Sequence, residues 1–230
     1  MSWLAQHKLL FLLLIAAAFT AYWLWTQRAR LRMHAAWAIP LAICHVLIGV
    51  SCVKLFAMIE DGSFSSAGKM SLFGAVFFLP LVYAVGAKLT KRKAGDVFDV
   101  FVIAMVFTLA CARVNCILSG CCLGRRIPGT DWRYPTRELE LVFYAVLLIW
   151  FFVKTKKGDT GGQLYPLYMI AYGAFRFVVE FFREGRSSPF HLAHLWALLC
   201  LIAGAAIHYE QQQRLSHKKA STRKQRRKQR

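Results

Sequence analysis

Seven long apolar runs separated by short polar connections leave this chain few ways to fold. They cover roughly Leu4–Trp25, Ala35–Ile59, Met70–Ala87, Val97–Leu118, Leu139–Val153, Leu164–Phe182 and Phe190–Ile207, the fifth being the shortest. A helix needs about 20 mostly apolar residues to cross a bilayer. Backbone polar groups in hydrocarbon must be satisfied within the segment, and none of the runs alternates as a barrel strand would, so helices follow. The expected fold is an all-α integral membrane protein of seven transmembrane helices, one domain over residues 1–210. With 57% apolar and 18% charged residues a disordered chain is excluded, and an ordinary water-soluble domain is disfavoured. The first run is expected to be a retained helix rather than a cleaved leader, since it is long enough to span and has no small-x-small cleavage pattern before the next charges.

The net charge of +19 is unevenly distributed. Nine of its cations lie in residues 211–230, which hold no acidic residue. That tail is expected to be a disordered cytoplasmic segment that obeys the positive-inside rule and touches anionic lipid, with no nucleic-acid partner because no folded reader accompanies it. Arg28, Arg30 and Arg32 in the first connection, Lys88, Lys91, Arg92 and Lys93 in the third, and Lys154, Lys156 and Lys157 in the fifth fall on the same side as the tail. This bias places the C-terminus in the cytoplasm and the N-terminus outside. The opposite side holds Glu60, Asp61 and Lys69, and Arg183 to Arg186. It also carries Arg125, Arg126, Arg133 and Arg137, a cationic cluster that topology does not require.

An ionisable group inside a span costs about 2.5–3.5 kcal/mol at the helix centre, so each is a functional candidate. Arg113 lies near the outer end of the fourth run, and Tyr168, Tyr172, Arg176 and Glu180 recur every four residues on the sixth, on one helix face. Arg176 and Glu180 could simply neutralise one another. Counting Arg113, Arg176, Arg125 and Arg126 against Glu180, however, leaves excess positive charge, which suits a lipid phosphate held by planar guanidiniums.

Arg113, Cys116 and Gly120 share a face, and Gly120 with Gly124 permits a turn or a close approach. The C-x4-C-C spacing of Cys116, Cys121 and Cys122 is compatible with packing, a disulfide or a metal. Packing is favoured, because no paired C-x2-C and no neighbouring His completes a tetrahedral site. Neither a metal nor a cofactor is expected. His45 reads as a core residue, and His191 and His194 open the seventh run.

Three segments carry a family resemblance. RVNCILSGCCLGR (Arg113–Arg125) resembles the R-I-G-N-F-I-N-G-E-x-x-G-R signature of prolipoprotein diacylglyceryl transferases. YPTRELE (Tyr134–Glu140) resembles their H-P-T/S-Q-L-Y-E segment, and YGAFRFVVEFFRE (Tyr172–Glu184) is similar to Y-G-x-x-R-F-x-x-E-F-x-R. The resemblance implies an enzyme of the bacterial inner membrane. Such an enzyme takes phosphatidylglycerol, transfers its diacylglyceryl group to a prolipoprotein cysteine thiol and releases glycerol phosphate. Carried over by position, Arg113 and Arg176 match the essential arginines, Tyr172 the sixth-helix tyrosine, Glu180 the glutamate, and Gly120 and Gly124 the glycines.

The expected site therefore has Arg113, Tyr172, Arg176 and Glu180 as catalytic residues. Arg113 and Arg176, with Arg125, Arg126, Gly120 and Gly124, are expected to hold the lipid phosphate. The departures from the family pattern are specific. Phe73 stands where the resemblance implies a catalytic His, Cys116 and Cys121 replace Asn and Glu, and Tyr134 replaces a His, which marks a divergent G-C-C-x-G variant. Two alternatives stay open: a phospholipid-using transferase with another membrane acceptor, and a non-catalytic protein that binds anionic lipid.

Overall fold

The structure, a computed structural model, describes residues 7–62, 70–158, 160–184 and 190–228. Among these are seven α-helices: α1 Lys8–Thr26, α2 Ala38–Asp61 behind a 3-10 turn at Ala35–Trp37, α3 Phe73–Leu89, α4 Ala94–Ser119, α5 Thr136–Lys156, α6 Leu164–Glu180 and α7 Leu192–Lys228. No strand forms among the described residues. Lys69 and Arg186, two of the loop charges, lie outside them.

By length and composition α1, α2 with its 3-10 turn, α4 and Leu192–Arg214 of α7 can cross a membrane, and α3 is a shorter apolar helix. α5 and α6 fall short of the seven expected spans for a physical reason. α5 carries Arg137, Glu138, Glu140, Lys154 and Lys156, and α6 has only 17 residues, two of them Arg176 and Glu180. Both exchange apolar surface for the polar groups described below.

The backbone of α7 runs on past residue 210 to Lys228. No Pro or Gly follows Gly204, and Gln, Lys, Arg and Ala are good helix formers, so nothing local stops the helix.

α4 is the central helix, with Val100, Val102, Ile103, Ala104, Met105 and Val106 buried, and it packs against α1, α3, α5 and α6. α6 and α7 form the most extensive helix pair. Outward, Leu10, Phe11 and Leu14 of α1, Ile39, Ile43 and Leu47 of α2, and Val142, Val146 and Ile149 of α5 are exposed. Apolar surface this continuous is covered in a bilayer, not in water.

At the end of the bundle where α4 and α6 start, Asp99 is fully buried. It accepts hydrogen bonds from Arg30 Nη2 (2.8 Å), Gly162 N (2.8 Å), Leu164 N (2.9 Å) and the Thr160 hydroxyl, while Arg30 Nε also meets Asp96 at 2.8 Å. This clasp ties the α1–α2 and α5–α6 connections to α4. Burial disfavours the Arg30 charge, but the two aspartates outweigh it and raise its pKa. The fourth helix begins earlier than the apolar run at Val97, which is why Asp96 escaped the sequence reading.

Candidate functional site

The opposite end of α4 supplies Arg113, and the chain then turns at Gly120 (φ 65°), whose left-handed conformation closes the helix at no steric cost. α5 supplies Glu140 at the head of a buried stripe with Tyr144, Leu147 and Phe151, a helical repeat that aims all four inward. α6 supplies Tyr168, Tyr172, Arg176 and Glu180, all buried, as their four-residue spacing predicts.

These side chains form an alternating chain of charge. Arg113 Nε lies 2.5 Å from Glu140 Oε2, and Arg176 Nη1 donates to Glu140 Oε1 at 2.9 Å. Arg176 Nη2 is 2.8 Å from Glu180 Oε2, and Arg183 Nη1 is 3.5 Å from the same oxygen. His191 Nε2 lies 3.1 Å from Glu180 Oε1, and its Nδ1 is 3.1 Å from that of His194. Burial, reinforced by Arg176, lowers the Arg183 pKa from the ordinary arginine value.

The buried charges balance differently from the sequence expectation. Glu140 bridges the two arginines, and Arg183, not Arg125 or Arg126, is the third guanidinium inside. Three guanidiniums against two carboxylates leave one formal positive charge. Arg125 and Arg126 are exposed, placed at the rim by backbone pairing of Arg125 N to Phe182 O (2.7 Å) and by the Arg126–Arg133 bridge.

Phe73, in the position where an imidazole is implied, does sit at this network. Its ring centroid lies 5.7 Å from the Arg176 guanidinium carbon and 5.8 Å from the Tyr172 ring. The hydroxyls of Tyr144, Tyr168 and Tyr172 are buried, and none has a hydrogen-bond partner among the described residues. Unpaired buried phenols are costly, so these three hydroxyls beside the charge network are donors available to a polar group bound there.

Gly124 is a close-approach position, since a Cβ there would collide with the Tyr134 carbonyl oxygen. The Gly120–Gly124 turn also brings three thiols together: the sulfurs of Cys116, Cys121 and Cys122 all lie within 4.8 Å of one another, and Arg113 Nη1 is 3.9 Å from Cys116 Sγ.

Sequence reasoning thus placed Arg113, Tyr172, Arg176 and Glu180 together and missed Glu140, Arg183, His191 and His194. Glu140 was detectable as the charged head of a helical apolar stripe. The histidines had no such signal, because their contact with Glu180 depends on how α7 docks.

Residues 9–209 match the family model described as prolipoprotein diacylglyceryl transferase. Named relatives are phosphatidylglycerol–prolipoprotein diacylglyceryl transferases. That of Dehalococcoides mccartyi is 27% identical over 165 residues, 62% of this chain and 64% of the relative. That of Campylobacter curvus is 32% identical over 142 residues (57% and 52%), and that of Clostridium tetani 27% over 137 (50% and 54%). The matched part of the chain thus spans less than two thirds of the length of these relatives. Reaching from α1 into α7 and including every helix that contributes to the buried charge network, the family match shows that this chain belongs to the prolipoprotein diacylglyceryl transferase family.

Proposed function

We propose that the network is the active site of a transferase that binds phosphatidylglycerol, moves its diacylglyceryl group to a prolipoprotein cysteine thiol and releases glycerol phosphate. The observation that carries this reading is the convergence of Arg113 and Arg176 on Glu140 beside three buried phenols without partners among the described residues. Glu140 and Glu180 hold the two guanidiniums in fixed orientations before substrate arrives. A lipid phosphate then shares those donors, and the charge that grows on the departing phosphate oxygen meets preorganised cations in a dry site. Tyr172 donates its free hydroxyl to the reacting group. Gly120 and Gly124 let the α4–α5 connection come close to the phosphate, and Arg125 and Arg126 attract the head group at the rim.

The Lys/Arg bias of the connections supports an arrangement in the bacterial inner membrane with the N-terminus outside and the C-terminus, with its basic tail on anionic lipid, in the cytoplasm. Residues 1–210 act as the transferase domain in this reading.

Purified protein incubated with phosphatidylglycerol and a lipobox peptide is expected to release glycerol phosphate and to yield a thioether-linked peptide, both by mass spectrometry. Arg176→Ala is expected to abolish release, and turnover that survives this change rejects the site. One observation favours a second reading. With Phe73 where the resemblance implies an imidazole, that position offers no proton acceptor, and the imidazoles of the network, His191 and His194, lie on the Glu180 side, as a protein that only binds anionic lipid would allow. Retention of phosphatidylglycerol without glycerol phosphate release, whatever thiol, sugar or lipid acceptor is offered, would select it.

A further inference from the structure

The family resemblance places no metal in this site, and sequence spacing alone argues against one at the cysteines. The folded chain changes that argument. Cys116 sits in the last turn of α4, Gly120 turns the chain, and Cys121 and Cys122 follow, with Cys122 at φ 57°, a left-handed conformation that a non-glycine residue adopts only when its surroundings hold it there. The hold is visible. Cys121 N donates to Cys116 O at 3.2 Å, Arg137 Nη1 to Cys121 O at 3.4 Å, and Thr136 Oγ1 to Cys122 O at 3.4 Å. The outcome of this bracing is three free thiols with all sulfurs within 4.8 Å of one another.

Packing explains this poorly. Cys52, Cys111 and Cys200 are single buried cysteines among apolar residues, whereas Cys121 is exposed and Cys116 touches a guanidinium. A tetrahedral zinc ion with bonds of about 2.3 Å sets its sulfurs about 3.8 Å apart, within a small rotation of these side chains. Three thiolates around a divalent ion sum to one negative charge, which Arg113 Nη1, 3.9 Å from Cys116 Sγ, is placed to balance.

Resting on the transferase reading above, we infer that Cys116, Cys121 and Cys122 form a three-thiolate site for a zinc-like divalent ion, whose fourth position takes and deprotonates the acceptor thiol. The site would supply, at the α4–α5 turn, the thiol activation for which Phe73 has no group, while His191 and His194 stand on the Glu180 side. The incoming thiol loses its proton to solvent on binding the ion, because a coordinated thiol ionises outright. Its sulfur lone pair then forms the bond to the terminal glyceryl carbon of the lipid. The carbon–oxygen bond to phosphate breaks, its electron pair leaves with glycerol phosphate between Arg113 and Arg176, and the neutral thioether departs from the ion. Protons and electrons balance without a redox partner.

The test begins with the full chain purified in detergent without added chelator. About one zinc per chain is expected. Cys116→Ser, Cys121→Ser and Cys122→Ser should each lower the content at least tenfold, and Cys44→Ser, outside the cluster, should leave it unchanged. Replacement by cobalt(II) should give sulfur-to-cobalt charge-transfer absorption and tetrahedral d–d bands. A lipobox peptide should shift those bands, and its Cys→Ser counterpart should not.

Metal-free protein in which two of the seven thiols resist titration until reduced would overturn the inference in favour of a disulfide. Cobalt bands indifferent to the cysteine peptide would overturn the thiol-activating role. Should a serine variant fail to fold, the cobalt spectrum of the unsubstituted protein decides alone. The two readings fail separately: undiminished glycerol phosphate release from metal-free protein rejects the ion and keeps the transferase. A peptide-shifted cobalt spectrum without any head-group release keeps the ion and rejects the transferase.

Discussion

At Glu140 one carboxylate serves two buried arginines, Arg113 at 2.5 Å and Arg176 at 2.9 Å, and neither guanidinium can reach water to discharge the debt if it is lost. Breaking a buried pair by removing one partner typically costs about 3–5 kcal/mol, more than the pair itself contributes, because an uncompensated charge stays behind. Glu140→Gln is therefore expected to destabilise the protein by about 3 kcal/mol, read as a lowered thermal midpoint in detergent; an unchanged midpoint would mean another anion compensates the arginines. Tyr172→Phe should behave in the opposite way. Its hydroxyl has no partner among the described residues, so stability should change by less than about 1 kcal/mol, while glycerol phosphate release falls by about 10²-fold if that hydroxyl acts on the reacting group. A large loss of stability in Tyr172→Phe would show a structural role instead.

Between elements, the position of α7 decides whether Glu180 finds His191. That position depends on a close approach: a Cβ on Gly173 of α6 would meet the α7 backbone, Ala197 O and Leu201 N, at 2.7 Å. Gly173→Ala should force the helices apart at a cost of about 1–3 kcal/mol. Gly49 of α2 has open space around its Cβ position, so Gly49→Ala should stabilise by about 0.5–1 kcal/mol through helix propensity alone. Equal effects at the two positions, measured by thermal unfolding, would remove close α6–α7 packing as the cause. The same scale explains why α5 and α6 fall outside the apolar spans. Glu140, Arg176 and Glu180 lower their hydropathy, yet each of these side chains points to the bundle interior and is hidden from lipid.

Over the whole molecule, α4 links two polar centres, the Asp99 clasp and Arg113, about 21 Å apart along the helix by its 1.5 Å rise per residue. Asp99→Ala removes the acceptor for Arg30, Gly162 N and Leu164 N and should cost about 3–5 kcal/mol of stability. Folded Asp99→Ala protein should retain head-group release per molecule, and a loss of release in proportion to that of Arg176→Ala would mean the two centres are coupled. The helical membrane architecture, the order of its elements and the stripe from Tyr168 to Glu180 were legible in the sequence, because hydropathy and helical spacing are properties of neighbouring residues. So were Arg113 and Arg176, since charged residues stand out in apolar runs. Which charges meet was not legible. Glu140 lies 36 residues from Arg176, His191 reaches Glu180 only through the docking of α7, and the gathering of Cys116, Cys121 and Cys122 depends on a turn braced from α5. Pairing of buried charges is set by which helix faces pack together, and that is decided by the free energy of the whole bundle rather than by any one segment.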